Sequence, residues 1–316
     1  MKSEIPILRS SQALDADIAV VLNDNAPLSG IDSQVYFAYD DANRGDHCIL
    51  ATNTQIEDVI QDPRGDVWAA DEQGYIFTTA ELLAETHPLD SNLEYVSAMA
   101  EFKFKAHRIS QYGIRRLWAV ENSIWVFCED GTAMVIEEGD VSSMVVATDI
   151  LSVNGSGMQN IYVGTADSRI LHFDGNQWHN VDLPETGLPR VSYQSIYINA
   201  ADDVFALSTN GVIMRGNAHN GFRIIEAPVL RYTGMCGLNG HYFISAAESG
   251  IYKVVSLEEP LRLQHLKKAR SPLSLIGRGN TLRMTCAAAK EYAYYLVLEL
   301  AGAPNDVKRM FETKLK

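Results

Sequence analysis

The chain has 316 residues, of which 47% are hydrophobic and 21% are charged, and its formal net charge is −14. No run of about 18 apolar residues is present, which excludes a long apolar membrane helix. The acidic balance disfavours a nucleic-acid partner, because binding to a phosphate backbone needs a basic patch.

The negative charge is concentrated near the N-terminus. Residues 1–100 hold 18 Asp and Glu against 4 Lys and Arg, whereas residues 251–316 hold 6 against 12. This asymmetry is typical of a solubilised acidic surface and also of a surface that attracts a basic protein. We therefore expect a protein partner that is basic, and neither nucleic acid nor a membrane.

Cysteine usage and the first residues suggest the compartment. The four cysteines form no Cys-x-x-Cys pair, and each lies in or beside an apolar run, so we interpret them as small buried residues in a reducing environment. They are Cys48, Cys128, Cys236 and Cys286. Residues 1–6 lack the continuous apolar core of a secretory signal. We expect a cytoplasmic protein.

One short pattern recurs along the chain: two apolar residues, five spacers and a Gly or Ser, followed by another apolar run. It predicts a strand, a tight turn and a second strand. The five clear copies are Val67-Trp68…Gly74, Ile124-Trp125…Gly131, Ile161-Tyr162…Ser168, Val204-Phe205…Gly211 and Phe243-Ile244…Gly250. Degenerate copies at Val35-Tyr36-Phe37 and Leu282-Arg283-Met284 extend the array to about seven units.

Two segments do not fit the repeat. The second apolar residues of successive copies are separated by 57, 37, 43 and 39 positions, so the first gap holds surplus residues. Residues 80–85 are good helix formers and His87-Pro88 stops them, which predicts a short helical insertion near residues 80–94. The polar tail, residues 303–316, is compatible either with a helix or with disorder.

These units resemble the repeats of the β-propeller superfamily, in particular the short repeats of sensor-type and sialidase-like propellers. The resemblance rests on Val67-Trp68…Gly74-Tyr75-Ile76 and on the stretch from Ile161 to Trp178, and it covers roughly residues 30–300. Neither the Ser-x-Asp-x-Gly-x-Thr-Trp box of sialidases nor the Gly-His…Trp-Asp signature of tryptophan–aspartate repeats is present. The resemblance therefore implies an architecture without a function.

The implied fold is all-β: a β-propeller of about seven blades, each a four-stranded antiparallel sheet, in a single domain over residues 1–302. We expect the ring to be closed by strands from both termini, with residues 18–22 or 5–8 pairing with the run around residues 292–300. Closure of this kind removes exposed sheet edges.

The aromatic residues divide into two groups by their position in the repeat. Trp68, Trp125, Tyr162 and Phe205 recur at one place, which predicts core packing between blades. Trp178 differs because it follows a turn, and we retain it as a candidate exposed anchor.

No motif specifies a chemical reaction. The histidines lack metalloprotease spacing, and no nucleophile elbow or phosphate-binding loop is present. His172 and His179 flank Asp174, and we interpret them as loop histidines. Adjacent carboxylates such as Glu137 and Glu138 are interpreted as loop solubilisers. The acidic segment 40–46 lacks the closing Glu of a calcium loop, so we predict no metal.

We predict non-catalytic binding of a basic protein partner through acidic loops on one propeller face, as an assembly scaffold or as an inhibitor or immunity protein of a toxin. We predict no catalytic residue and no cofactor. The candidate contact residues are Asp40, Asp41, Asp46, Glu81, Glu85, Asp90 and Trp178.

Two alternatives stay open. A propeller hydrolase or lyase would bring His, Arg or carboxylate groups together in a central channel. A lectin-like binder of small ligands would show equivalent aromatic pockets between blades.

Overall fold

The structure is a computed structural model. It describes residues 7–8, 13–14, 17–23, 33–38, 46–81, 87–97, 99, 102–269, 272–278, 280–286, 293–300 and 307–315. The chain groups into two compact units. Unit 1 contains residues 1–148, 285–297 and 311–316, and unit 2 contains residues 149–284 and 298–310. The described residues form strands and turns without a helix.

Fourteen strands lie within residues 1–148. They are β1 (Ile7–Leu8), β2 (Ala13–Leu14), β3 (Asp17–Asn23), β4 (Ser33–Ala38), β5 (Asp46–Thr52), β6 (Ile56–Gln61), β7 (Val67–Asp71), β8 (Tyr75–Thr78), β9 (Tyr95–Ser97), β10 (Lys105–Arg108), β11 (Ile114–Val120), β12 (Ser123–Cys128), β13 (Thr132–Glu137) and β14 (Asp140–Val145).

The remaining strands follow from residue 149 onward. They are β15 (Ile150–Gly157), β16 (Asn160–Thr165), β17 (Ile170–Phe173), β18 (Trp178–Asn180), β19 (Tyr193–Ala200), β20 (Asp203–Ser208), β21 (Ile213–Asn217), β22 (Gly221–Ile224), β23 (Tyr232–Leu238), β24 (His241–Ala246), β25 (Gly250–Ser256), β26 (Arg262–Lys267), β27 (Pro272–Arg278), β28 (Thr281–Cys286), β29 (Ala293–Leu300) and β30 (Val307–Leu315).

Seven antiparallel sheets follow one another along the chain. The first has the order β1-β3-β4-β5-β9, with β2 paired to β3, and the second has the order β6-β7-β8-β10. The other five sheets each consist of four consecutive strands, β11–β14, β15–β18, β19–β22, β23–β26 and β27–β30. The predicted all-β array of about seven antiparallel sheets is confirmed, and six of them have the predicted four strands, whereas the first has six.

The five predicted hairpins form the second and third strands of their sheets. In all five the predicted turn residue has a positive φ: Gly74, Gly131 and Gly211 lie between 85° and 90°, Ser168 lies at 73°, and Gly250 lies at 104°. A β-carbon on Gly74 would come within 2.2 Å of the Ser110 carbonyl oxygen, so this turn requires glycine for space as well as for φ.

The fifth copy is offset by one residue from the sequence alignment. The Ser249 N–H donates to the Ala246 carbonyl, as the Gly211 N–H does to that of Ser208. In strand register Ser249 therefore corresponds to Gly211, whereas the positive φ of this turn lies at Gly250. The structural counterpart of Phe205 is then Phe243 instead of Ile244, and the predicted alignment of this copy was wrong by one position.

The second strand of a sheet is buried on both of its faces, as β7 shows in unit 1. Val67 and Ala69 pack in a cluster with Leu50 of the first sheet. Trp68 and Ala70, which point the other way along the pleat, pack in a second cluster that includes residues of the third sheet. All five residues of β7 are buried. The predicted core role of the recurring aromatic residues is confirmed, since Trp68, Trp125, Tyr162 and Phe205 are each about 1% exposed.

The surplus residues after β8 lead to a strand that was not expected. The chain leaves the second sheet at the end of β8, adds β9 to the edge of the first sheet, and returns to the second sheet as β10. Residues 82–86 lie outside the described residues, so a helical turn there stays a prediction. The described part of the predicted insertion contains a β-bridge between His87 and Arg108, followed by turns. The insertion therefore connects two sheets through strand pairing.

The C-terminal tail also differs from its expectation. Residues 307–315 form strand β30, which pairs with β29 in the seventh sheet. A polar segment can form a strand when it adds to an existing edge, because the edge supplies the backbone hydrogen bonds. Strands from the N-terminus pair within the first sheet, and ring closure by strands from both termini stays a prediction.

Buried polar side chains close three of the hairpins. Asp71, Thr165 and Ser208 occupy the same place before the turn, and each accepts the backbone N–H of the residue four positions later, at 2.7, 3.0 and 3.0 Å. Of the three, Asp71 is ionisable. Its Oδ2 atom has no hydrogen-bond partner among the described residues, and burial raises the pKa of its carboxyl group to about 6.

This raised pKa predicts a pH-dependent stability. Between about pH 4 and pH 6 the folded Asp71 binds more protons than the unfolded one, so its contribution to the free energy of unfolding falls as the pH rises through that window. Asp71→Asn removes the ionisation. From pH 4 to pH 7 we expect the difference in unfolding free energy between variant and parent to shift by about 2–3 kcal/mol in favour of the variant, as measured by urea unfolding. The control is Glu185→Gln at an exposed site, and a pH-independent difference for Asp71→Asn would contradict the assignment.

Candidate functional site

A pocket of about 200 Å³ lies in unit 1, where turns of the second and third sheets meet. Its floor is apolar and buried. Its rim is polar and more exposed. The floor consists of Trp68, Ala80, Ile124 and Ile136, and the rim consists of Arg64, Glu81, Asn122, Glu138 and Gly139.

Asp62 fixes one wall of the pocket from the turn between β6 and β7. Its carboxylate accepts the backbone N–H groups of Arg64 and Asp66 at 2.9 and 3.0 Å, and the indole N–H of Trp68 at 3.3 Å. The Arg64 side chain donates to the same carboxylate through Nε and Nη2, at 3.2 and 2.9 Å. Because the Asp62 side chain is only 2% exposed, it joins a buried tryptophan to the exposed rim.

The opposite wall comes from the third sheet. Glu138 and Gly139 form the two-residue turn between β13 and β14, with φ values of 50° and 91°. Two consecutive positive φ values define a type I′ turn, whose twist matches that of the strands. Asn122 lies in the turn between β11 and β12, and the floor residue Ile124 follows it on β12. The rim and the floor are therefore positioned by the same two hairpins.

Carboxylates surround the mouth of this pocket. The strand registers place the β6–β7 turn and the end of β8 at one end of the second sheet, and the β11–β12 and β13–β14 turns at one end of the third. We call these turns the acidic turn face. Its carboxylates belong to Asp62, Asp66, Glu81, Glu121, Glu137, Glu138 and Asp140.

The two cations that ion-pair at this face are already compensated. Arg64 lies 2.9 Å from Asp62, and Lys105 lies 3.5 Å from Glu81. Within the described part of the chain, Glu138 makes no ion pair. The acidic turn face therefore carries a net negative charge, and exposed carboxylates such as Glu81 and Glu138 present it to solvent.

This chain is similar to known proteins in structure but not in sequence. No family model matches the chain, and no curated protein matches it in sequence. Solved structures do match it. The WD40 β-propeller domain of Doa1 is 13% identical, with 88% of this chain and 89% of that chain covered and a TM-score of 0.64. A chain of the Mitotic Checkpoint Complex is 11% identical, with 92% and 88% covered and a TM-score of 0.67. Virginiamycin B lyase from Staphylococcus aureus is 10% identical, with 91% and 92% covered and a TM-score of 0.64.

The fold is a β-propeller. At 10–13% identity these similarities establish the architecture alone. The seven sheets are its blades, so the pocket lies between blades 2 and 3, and the acidic turn face belongs to those two blades.

The predicted contact residues are placed in different parts of the propeller. Glu81 lies on the rim of the pocket, with a side chain that is 85% exposed. Asp90 is exposed in the segment that leads to β9, where its backbone N–H donates to the Tyr75 hydroxyl at 3.0 Å. Asp46 begins β5. Asp40, Asp41 and Glu85 lie outside the described residues.

Trp178 does not join the acidic residues at the pocket. It lies on β18 in unit 2, where it is half-buried, and its ring centroid is 5.2 Å from that of Phe173. The nearby His172 and His179 are cross-strand partners, and His179 Nε2 is 2.8 Å from the Asp174 carboxylate. The Trp178 ring therefore packs against Phe173, and its predicted role as an exposed contact for a partner stays a prediction.

Four rim residues were missed by sequence reasoning: Arg64, Asn122, Glu138 and Gly139. Glu138 belongs to an acidic pair that was interpreted as a solubilising loop, and the two members differ, since Glu137 accepts the Ser123 hydroxyl at 2.5 Å whereas Glu138 lines the pocket. The sequence Glu138-Gly139 between two apolar runs could have been recognised as a two-residue hairpin turn. It gave no indication that residues of the second sheet lie across a pocket from this turn.

The described residues contain no group of three metal-ligating side chains close enough to hold an ion. Among the same residues, none belongs to a helix of the length and hydropathy needed to cross a bilayer.

The role of Asp62 predicts a specific loss of stability. Asp62→Ala leaves the buried Trp68 indole N–H and two turn N–H groups without their acceptor, which we expect to lower the free energy of unfolding by about 2–3 kcal/mol. Urea unfolding measures the change. Asp140→Ala, an exposed substitution on the same face, is the control and should change it by less than about 0.5 kcal/mol. Equal effects of the two variants would show that Asp62 does not hold the pocket wall.

Proposed function

We propose that this propeller is a non-catalytic protein-binding module that engages a basic protein partner through the acidic turn face of blades 2 and 3. The observation that carries the proposal is the charge of this face. Seven carboxylates lie on or beside its turns, and the two cations that ion-pair there, Arg64 and Lys105, are each paired with one of them. Such a face attracts a cationic surface and repels an anionic one.

Electrostatic attraction acts mainly on the rate of encounter. Complementary charge raises association rate constants toward about 10⁸–10⁹ M⁻¹s⁻¹ at low salt, and screening beyond about 8–10 Å removes the gain as salt rises. The partner should therefore bind faster at low ionic strength. Because the turns of this face have a fixed conformation, little conformational entropy is lost when they bind. A scaffold and an inhibitor or immunity protein of a basic toxin both require this behaviour, in the cytoplasm in either case.

The similar structures are compatible with this role. One of them is part of the Mitotic Checkpoint Complex, so a propeller of this architecture occurs in a protein assembly. Another is virginiamycin B lyase, so an enzyme of this architecture also occurs. An enzymatic role therefore remains the alternative proposal for this chain. The pocket favours binding, because Arg64 in its lining is already held by Asp62 and Glu81 is ion-paired with Lys105, so that among its three charged lining residues only Glu138 is without an ion pair in the described part of the chain.

The proposal is tested with a short labelled peptide of alternating arginine and serine. The first variant neutralises the face through Glu81→Gln, Glu121→Asn and Glu138→Asn, where asparagine is chosen because it tolerates the positive φ of the two turn positions. We expect its association rate for the peptide to fall about tenfold at about 0.05 M salt, and both proteins to bind weakly at about 0.5 M salt. Stopped-flow fluorescence measures the rates.

The matched control removes the same charge from exposed glutamates of unit 2, through Glu185→Gln, Glu248→Gln and Glu258→Gln. We expect less than about a twofold change in association rate for this variant. Equal losses in the two variants would mean that net charge alone governs binding. Equal losses, or a parent protein without salt-dependent binding, would overturn the proposal.

A further inference from the structure

We infer that the pocket between blades 2 and 3 is a receptor for one arginine side chain of the protein partner. This inference rests on the proposed function and assigns a chemical identity to the group that enters the acidic turn face. It follows from the size of the pocket, the division between floor and rim, and the state of the charged groups around it.

The pocket is suited to a side chain by its size. Its volume of about 200 Å³ is below the range of about 300–1,000 Å³ that is usual for sites of drug-sized molecules. It is also open toward solvent at the rim, where the Glu81 and Arg64 side chains are 85% and 52% exposed. A long side chain projecting from another protein surface can enter such a pocket without the backbone having to follow.

The lining requires an occupant with an apolar stem and a cationic end. Trp68, Ile124 and Ile136 on the floor are between 1% and 4% exposed, and they contact methylene groups favourably. Glu81 and Glu138 on the rim favour a positive group, and the Asn122 side-chain oxygen can accept a hydrogen bond. Lysine and arginine both have this division between stem and charged end.

Arginine fits the lining better than lysine. Its guanidinium is planar, stacks on aromatic rings, and donates in several directions at once, so that it can bridge two carboxylates. It is also more weakly hydrated than an ammonium group and loses less on entering a partly apolar site. Trp68 supplies an aromatic surface on the floor, and Glu81 and Glu138 supply carboxylates from two different blades.

The cations already present do not prevent entry. Arg64 directs Nε and Nη2 to Asp62, so its charge is compensated and its position is fixed at the wall. Lys105 contacts Glu81 at 3.5 Å, and both side chains are exposed, at 54% and 85%. An exposed ion pair of this length contributes little to stability and can be exchanged for an incoming guanidinium.

The pocket is largely formed before binding. The Trp68 indole is held by Asp62, and the Glu138-Gly139 turn is held between paired residues Glu137 and Asp140. A site of fixed geometry has less side-chain freedom to lose when the ligand enters. Discrimination between arginine and its neutral isostere then depends on the rim charges.

The test uses single amino-acid probes and the full-length protein. Nα-acetyl-arginine amide, the lysine equivalent and the neutral citrulline equivalent are titrated while amide and indole N–H resonances are followed by NMR. We expect arginine amide to give saturable shifts of the Trp68 indole N–H and the Gly139 amide, in the millimolar range. We expect citrulline amide to bind at least about fivefold more weakly, because it lacks the charge. Equal binding of citrulline, equal binding of lysine, or shifts confined to other residues would overturn the assignment.

Variants separate this assignment from a general charge effect. Glu138→Asn and Glu81→Gln should each weaken binding of arginine amide about threefold to fivefold, whereas Glu185→Gln in unit 2 should leave it unchanged. Because Glu138→Asn suits a positive-φ turn, its spectrum should otherwise match that of the parent and confirm that the fold is intact. A binding constant that Glu138→Asn leaves unchanged would also overturn the assignment.

The two proposals fail in different ways. If the arginine–serine peptide distinguishes the face variant from the unit 2 control while arginine amide does not bind in the pocket, the acidic turn face stands and the arginine receptor is wrong. If the peptide does not distinguish the two variants, the proposed function itself is wrong, whatever arginine amide does.

Discussion

The burial of the second strand on both of its faces, in the sheets whose side chains the structure describes, is the constraint on which the rest of this structure depends. Along β7, alternate residues pack toward different neighbouring sheets, and no residue of the strand remains for solvent. In unit 2, β20 shows the same division: Val204 and Ala206 pack with Tyr162 of the preceding sheet, and Phe205 packs with Ile244 of the following one. A sheet of this kind cannot bury its core alone, because each face needs a neighbour.

This constraint leaves the turns as the variable part of the chain. Residues in the middle of the strands must be apolar and of suitable volume, whereas turn residues need only the correct backbone conformation. The pocket follows from this division, since its floor consists of strand residues and their flanks while its rim consists of turn residues. Asp62 connects the two levels, because one carboxylate holds both the β6–β7 turn and the indole of Trp68.

The insertion after β8 shows how the same physics recruits additional chain. An exposed sheet edge offers unpaired backbone groups, and a segment that reaches it can be ordered by strand pairing even when its composition favours a helix. Strand β9 is ordered by such pairing shortly after the segment that was predicted to be helical, and β30 shows that a polar stretch near the end of the chain can also form a strand. At the C-terminus local propensity indicated the wrong structure, because tertiary pairing outweighs differences in propensity of a few tenths of a kcal/mol per residue.

By itself, the sequence determined the all-β class, the approximate number of sheets, the hairpins at the centre of each blade and the burial of Trp68, Trp125, Tyr162 and Phe205. These features repeat at a regular spacing, and each depends on contacts within one hairpin or on a periodicity that a single strand displays. Only the tertiary structure decided that Ser249 corresponds to Gly211 in strand register, that the segment after Ala80 crosses to the first sheet, and that Glu138 faces Trp68 and Glu81 across a pocket. Those features depend on which strands pair and which turns lie side by side, and residues nearly 60 positions apart in the chain carry no local signal of their contact.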